Sequence, residues 1–331
     1  MTERDYPIPA WRVTLDGKDL TERIAPRLID LTLTEAKNGE ADQLDLVIHD
    51  HDGKMALPKR GVIINVAIGW RDAGLIDKGS FRVDEVEHAG APDRITVRAR
   101  SADLTHKMRC RRERSWHAVT LGAVLRNLAG EHGLKASVHA RLNGIAIAHL
   151  DQTNESDINL LTRLGQRFDA VATIKAGTLL FAPIGSGTTP SGKPLPKAAL
   201  RRADGDQHRY SVEDRGAYSG VKAFWTDKAG ARRKSVLAGD ADNAKQLRQT
   251  FPSEKIAQEH AQAEWKRVQR GTAKFSYTLA LGRADLYPEQ TVTVEGFKPE
   301  IDAQDWLIAQ ATHSITGAGG FTTALEMERS I

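Results

Sequence analysis

Asn65-Val66-Ala67-Ile68-Gly69-Trp70, followed by Phe81-x-Val83-x-x-Val86-x-His88, decides the fold, because the chain carries this series twice. Near the other end stand Thr293-Val294-Glu295-Gly296-Phe297, one residue shorter, and then Trp306-x-Ile308-x-x-Ala311-x-His313. The echo extends outward from there. Upstream, Leu44…Ile48-x-x-x-x-Gly53-x-x-x-Leu57-Pro58 corresponds to Tyr277…Leu281-Gly282-x-x-x-Leu286-Tyr287-Pro288. Downstream, each series closes on an alternating strand, at residues 95–100 and 323–328. One such match could arise because β-sequences draw on few residue types. The shared order (strand, Leu-Pro-type turn, strand ending Gly-aromatic, strand ending His) points to an internal repeat.

The surrounding sequence supports two β-units with something different between them. Residues 11–15 alternate and run into Asp16-Gly17, a favoured hairpin turn, and residues 31–34 and 44–48 alternate again. The period then changes. Leu121, Val124, Leu125 and Leu128 lie at helical spacing ahead of Gly133, and Asn154-Glu155-Ser156-Asp157 opens a second helix carrying Ile158, Leu161 and Leu164. Residues 183–197 hold four of the twelve prolines and read as a linker or exposed loop. Further on, residues 242–251 and 253–270 read as helical, with Ala257, Ala261, Trp265 and Val268 on one face. The expected fold is mainly β with an α+β insertion: two similar antiparallel barrels plus a helical/α+β domain. The expected boundaries are 1–104 for the first barrel, 105–200 for the α+β insertion, 201–240 with 272–331 for the second barrel, and 241–271 for a helical insertion.

Composition bounds the function. The 331 residues include 40% hydrophobic and 27% charged residues, ordinary globular stock. Forty-seven Lys and Arg against 43 acidic residues leave a net charge of +4, weak for a dedicated nucleic-acid binder. A single cysteine, Cys110, can form neither an internal disulfide nor a cysteine-based metal site. No stretch approaches the ~20 apolar residues of a membrane span, and the N-terminus lacks a signal-peptide core, so synthesis in a bacterial cytoplasm without membrane insertion is expected.

Local clusters that could carry chemistry fall short. In His49-Asp50-His51-Asp52-Gly53 two histidines share a strand face beside carboxylates, but the cluster reads as a strand ending in an Asp-Gly turn. His88 and His313 occupy equivalent places in the repeat without a nucleophile and supporting carboxylate. Gly185-Ser186-Gly187-Thr188 and Gly317-Ala318-Gly319-Gly320 lack the Gly-Lys-Ser/Thr continuation of a phosphate loop. The basic run 107–114 reads as a solvated or subunit-facing segment. No catalytic, cofactor-binding or metal site is expected, and an enzyme is not the default.

Gln152-x-x-Glu155-Ser156-Asp157-x-x-Leu160-Leu161-x-Arg163-Leu164 resembles the helix signature of contractile-tail hub proteins. With the Gly69-Trp70 and Trp306…His313 series, nearly the whole chain is similar to the late control D family of contractile-tailed phages. The hub portion of type VI secretion spike proteins shares the motif. The resemblance implies a non-enzymatic baseplate hub, with no cofactor, in which a homotrimer supplies two tube-type barrels per chain. The resulting pseudo-sixfold ring adapts a hexameric tail tube to a trimeric central spike. The implied partners are the tail spike protein, the tail tube protein or a tube initiator, the tape measure protein and baseplate wedge proteins. The task is the same in a DNA-carrying phage and in a headless, R-type bacteriocin-like particle. The alternatives are a hub-associated cell-wall hydrolase, a type VI-like spike hub component and a protein contacting ejected DNA. Leu160 stands where the family more often has an aromatic.

Charge on the two closing strands differs in sign. Opposite Ile95, Val97 and Ala99 lie Arg98 and Arg100, whereas opposite Leu325 and Met327 lie Glu326 and Glu328. If barrels alternate around a ring, these four residues are the expected subunit-interface charges.

Overall fold

The computed structural model describes residues 6–37, 41–101, 106–175, 177–212, 218–227, 229–318 and 320–331. The first barrel contains β1 (Pro9–Leu15), β2 (Lys18–Asp19), the short helix α1 (Thr21–Ile24), β3 (Leu28–Ala36), β4 (Gln43–His49), β5 (Ile63–Trp70), β6 (Gly74–Ala89) and β7 (Arg94–Ser101). Alternation does what period two requires: on β7, Ile95, Val97 and Ala99 are buried while Arg98 and Arg100 are exposed. Asp16 and Gly17, both at positive φ, turn β1 into β2.

The middle of the chain builds an α+β domain from β8 (Arg111–Thr120), α2 (Leu121–Glu131), β9 (Lys135–Val138), α3 (Ala140–Asn143), β10 (Ala146–Ser156), α4 (Asp157–Phe168), β11 (Ala170–Lys175) and β12 (Thr178–Pro183). Thr120 caps α2 by accepting from the Ala123 amide, and Ser156 caps α4 by accepting from Asn159. Leu121, Val124, Leu125 and Leu128 of α2 pack with Leu160, Leu161 and Leu164 of α4 in one core. Leu160 is fully buried within that core.

The second barrel comprises β13 (Ala198–Arg201) and β14 (Gly205–Val212) and, after an interruption, four further strands and a short helix. The interruption holds β15 (Gly220–Asp227), β16 (Arg232–Gly239), β17 (Ala244–Phe251) and α5 (Glu254–Gly271). The barrel then resumes with β18 (Ala273–Leu279), β19 (Thr291–Glu295), α6 (Pro299–Asp302), β20 (Trp306–Thr316) and β21 (Phe321–Arg329).

The two barrels share one strand order. The first runs β1-β5-β6-β7-β4-β3 and the second β13-β19-β20-β21-β18-β14. They even share a bulge: β6 slips against β7 between Val83 and Glu85, and β20 slips against β21 between Ile308 and Gln310. Phe81, Val83, Val86 and His88 thus correspond to Trp306, Ile308, Ala311 and His313, and Arg98 to Glu326. One pairing differs, since β1 meets β5 antiparallel whereas β13 meets β19 parallel.

The structure corrects several expectations. Residues 242–251 were expected to be helical, but 244–251 form β17, hydrogen-bonded parallel to β15. Leu247 and Phe251, four apart, mimic helical spacing, while an edge strand exposes most of its side chains and needs no β-branched run. In consequence β15 and β16 do not belong to the second barrel. Residues 220–271 form their own small unit, a three-stranded sheet under α5 with Val221, Ala223, Phe251, Ala257 and Ala261 at its core, in place of the expected helical insertion at 241–271. The upstream echo also shifts by two: Leu44, opposite Ala99, corresponds to Phe275, opposite Met327, rather than to Tyr277. A two-residue slip keeps every side chain on its face, so alternation cannot detect it. The expected 104/105 boundary lies outside the described residues. Residues 198–200, assigned to the insertion, begin the second barrel. Residues 183–197 fold back on the second barrel, where Gln290 Nε2 donates to the Pro196 carbonyl.

Candidate assembly interface

The two barrels are fused edge to edge. Beyond its short pairing with β19, β20 pairs antiparallel with β3, from Gln310 opposite Ala36 to Thr316 opposite Asp30. Both barrels thereby become one continuous sheet. Side chains seal the seam. The Trp70 indole donates to the Gly282 carbonyl at 2.8 Å and its ring lies 5.1 Å from Phe321. Gly282 is needed there, because a Cβ would fall 2.3 Å from the Phe321 ring.

A buried polar cluster lies on the core side of the seam. Lys78 donates to Glu35 at 2.5 Å, and His313 Nε2 lies 3.3 Å from the same carboxylate oxygen. The Thr323 hydroxyl accepts from the Arg283 amide and lies 3.0 Å from His313 Nδ1. Lys78 Nζ also lies 3.3 Å from His313 Nε2, so the lysine, the carboxylate and the imidazole form one cluster. Burial raises Glu35's pKa, but the His313 hydrogen bond and the Lys78 charge outweigh it and hold the carboxyl at about 2. Burial lowers His313's pKa, so a neutral imidazole beside an ionised Glu35 is the consistent state. His88, the equivalent residue of the first barrel, instead keeps 42% of its side chain exposed beside Asp50.

The hub-like motif proves to be a packing device. Gln152 donates to the Glu155 carbonyl and to Asp157 while accepting from Arg114. Asp157, fully buried, also receives Arg114 and His132. Arg163 clamps both Glu155 oxygens. Two of the five basic residues of the run are consumed here, since Arg112 and Arg114 also pair with Glu131. This is neither the solvated nor the subunit-facing role expected for the whole run. In the histidine-rich turn, Asp50 accepts from the Met55 amide and Asp52 holds Arg27 with two hydrogen bonds.

The four expected interface charges have the following surroundings. Arg98 pairs with Glu85 and, more distantly, Asp45, and Arg100 with Asp84. Glu326 is exposed. Glu328 is half-buried between Lys37 and Arg270, and Arg270 also forks onto Asp169 of the insertion domain. Nearby, Glu289 accepts from the Gly185 amide with one oxygen while the other has no hydrogen bond among the described residues. Burial pushes its carboxyl up to about 7. Nothing local in the sequence marks Lys78, Glu35 and Glu289: Asp77-Lys78-Gly79 looks like a turn, and no local signal links Lys78 to the distant Glu35.

The chain is thus two fused barrels of one strand order, interrupted by a motif-bearing α+β domain. The chain matches the phage tail baseplate hub (GPD) family over residues 57–319 and belongs to that family. It is 43% identical to the probable baseplate hub protein of Escherichia phage 186, covering 97% of this chain and 92% of that one. The corresponding protein of Escherichia phage P2 is 42% identical over 97% and 93% of the two chains. Among solved structures, the 43 kDa tail protein of prophage MuSo2 from Shewanella oneidensis shares the fold at TM-score 0.71 and 17% identity, over 96% and 98% of the chains. A type VI secretion system component of Escherichia coli shares it at TM-score 0.56 and 14% identity, over 91% and 73%. The protein is a phage tail baseplate hub protein and shares its fold with a type VI secretion system component.

Proposed function

We propose that the chain works as a non-enzymatic adaptor: three copies form a ring that joins a hexameric tail tube to a trimeric central spike. One observation carries the reading, the repeat of the same six-strand order and the same bulge within one chain. Three copies of a chain that presents two equivalent units offer six similar positions to a tube while keeping true threefold symmetry for a spike. The partners of this reading are the spike, the tail tube protein or tube initiator, the tape measure protein and the baseplate wedge proteins. In such a ring the equivalent pairs Arg98/Arg100 and Glu326/Glu328 alternate in sign from barrel to barrel, setting barrel order more than adding stability. Light scattering of the pure protein, alone and with its co-expressed spike, tests the reading. A trimer or a trimer on spike is expected, and a strict monomer in both samples at micromolar concentration rejects it.

A further inference from the structure

The internal seam has two halves: the outer edge of β20 beyond its bulge, and the outer edge of β3. Strand order makes β6 the counterpart of β20, and β14 the counterpart of β3. Both counterparts are open. Beyond Val83, β6 pairs only with β7, and β14 ends the sheet, pairing only with β18, among the described residues. Each chain therefore holds one complete seam and the two unmated halves of another.

The side chains at these edges look uncovered in the same way. On β20, Ala311 and His313 are fully buried under β3. Their counterparts on β6, Val86 and His88, are half-buried and exposed. On β14, Val212 is 60% exposed, a large apolar side chain on a bare edge, whereas its counterpart Glu35 on β3 is buried in the seam. Bare edges of this kind are ordinarily blunted or paired.

The existing registers dictate how the halves would meet. Across β3 and β4, Thr34 faces Gln43 and Leu33 faces Leu44; across β14 and β18, Ser211 faces Lys274 and Tyr210 faces Phe275. Gln43 lies opposite Arg100 and Lys274 opposite Glu328, the matched positions of the repeat, so Ser211 corresponds to Thr34 and Tyr210 to Leu33. In the seam Thr34 faces Thr312 and Leu33 faces His313. We propose that β6 of one copy pairs antiparallel with β14 of a second copy, with Val86 opposite Val212, Glu87 opposite Ser211, His88 opposite Tyr210 and Ala89 opposite Arg209. This contact buries Val212 against Val86 and sets Glu87 diagonal to Arg209 on the polar face, an opposite-charge pair. The contact is head-to-tail, so it closes into a ring or runs on as a filament. The count of three rests on the function proposed above; the register does not.

Cysteine cross-linking tests the register in the full chain with Cys110 replaced by serine. Directly opposed residues of an antiparallel pair lie within disulfide reach. Oxidised Glu87→Cys/Ser211→Cys is expected to run as a covalent species of three chain masses on a non-reducing denaturing gel. Each single variant stays at one chain mass, and a mixture of the two singles yields covalent dimers. Glu87→Cys/Arg209→Cys, displaced by two residues on the same face, is the control and is expected to cross-link poorly. Trimers in light scattering that fail to cross-link at 87/211, or cross-link better at 87/209, overturn the register and leave the trimer standing. Cross-linked rings of another size keep the register and overturn the trimer. Monomers under all conditions overturn both.

Discussion

Lys78, Glu35 and His313 show how much a few side chains carry at the seam. Removing Lys78 leaves a carboxylate buried with only a neutral imidazole, so Lys78→Met is expected to cost about 3 kcal/mol in urea unfolding. The pH dependence has a definite sign. Glu35's carboxyl is held at about 2, below its ordinary 4.5, so its contribution is complete above 4.5 and fades as pH falls toward 2. His313 is held below its ordinary 6.5, so its contribution too is complete above that value and fades below it. Acidification from pH 6.5 should therefore weaken the seam twice over. Glu289 has the opposite sign: with a carboxyl at about 7 against an ordinary 4.5, it destabilises progressively as pH rises through that window. Glu289→Gln keeps an acceptor for the Gly185 amide and removes the buried charge. Its melting temperature is expected to exceed the parent's at pH 8 and to match it near pH 5. The backbone there is strained as well, for Glu289 sits at φ +70, where its counterpart in the first barrel is Gly61 at φ +90.

Among the elements, α4 and α5 carry the clearest tests. Asp157 closes β10 onto α4 by gathering Gln152, Arg114 and His132 in a buried site. Asp157→Ala strands two cations or potential cations and is expected to cost roughly 3 kcal/mol, read as a lowered urea midpoint. Loss of the Glu155 charge, Glu155→Gln, should cost about 1 kcal/mol or less, since Arg163 keeps 43% of its side chain exposed. On α5, His260 stacks on Phe251 at 4.3 Å and is held down to about 4 by burial and by Arg167, Arg163 and Arg267. It must stay neutral to keep its place. Stability of the 220–271 unit is thus expected to be complete above pH 6.5 and to fall toward pH 4, an effect that His260→Phe should abolish. Hydrogen exchange on α5 as a function of pH reads it out.

At the scale of the molecule, the alternating charges can be tested by reversal. Arg98→Glu/Arg100→Glu sets acid against Glu85 and Asp84, one strand in from the bare edge of β6. Light scattering is expected to show impaired trimer formation with the barrel core intact by circular dichroism. Normal assembly of that variant would make these charges surface features only. Complementation by Glu326→Lys is informative, whereas Glu328→Lys also breaks the contacts with Lys37 and Arg270 and should disturb the fold itself.

The amino-acid sequence by itself determined the repeat, the faces of its strands and the start of α4. These follow from local rules: period two buries Ile95, Val97 and Ala99, and Ser156 accepts from a backbone amide where its helix begins. Only the tertiary structure decided the seam between β20 and β3, the two-residue register of the upstream echo, and β17 as a strand. Alternation is indifferent to a slip of two residues, and an edge strand such as β17 draws its stability from a neighbour's backbone rather than from its own side chains. The partners of Lys78 likewise come from far along the chain, Glu35 on β3 and His313 on β20, and no local period records such a meeting.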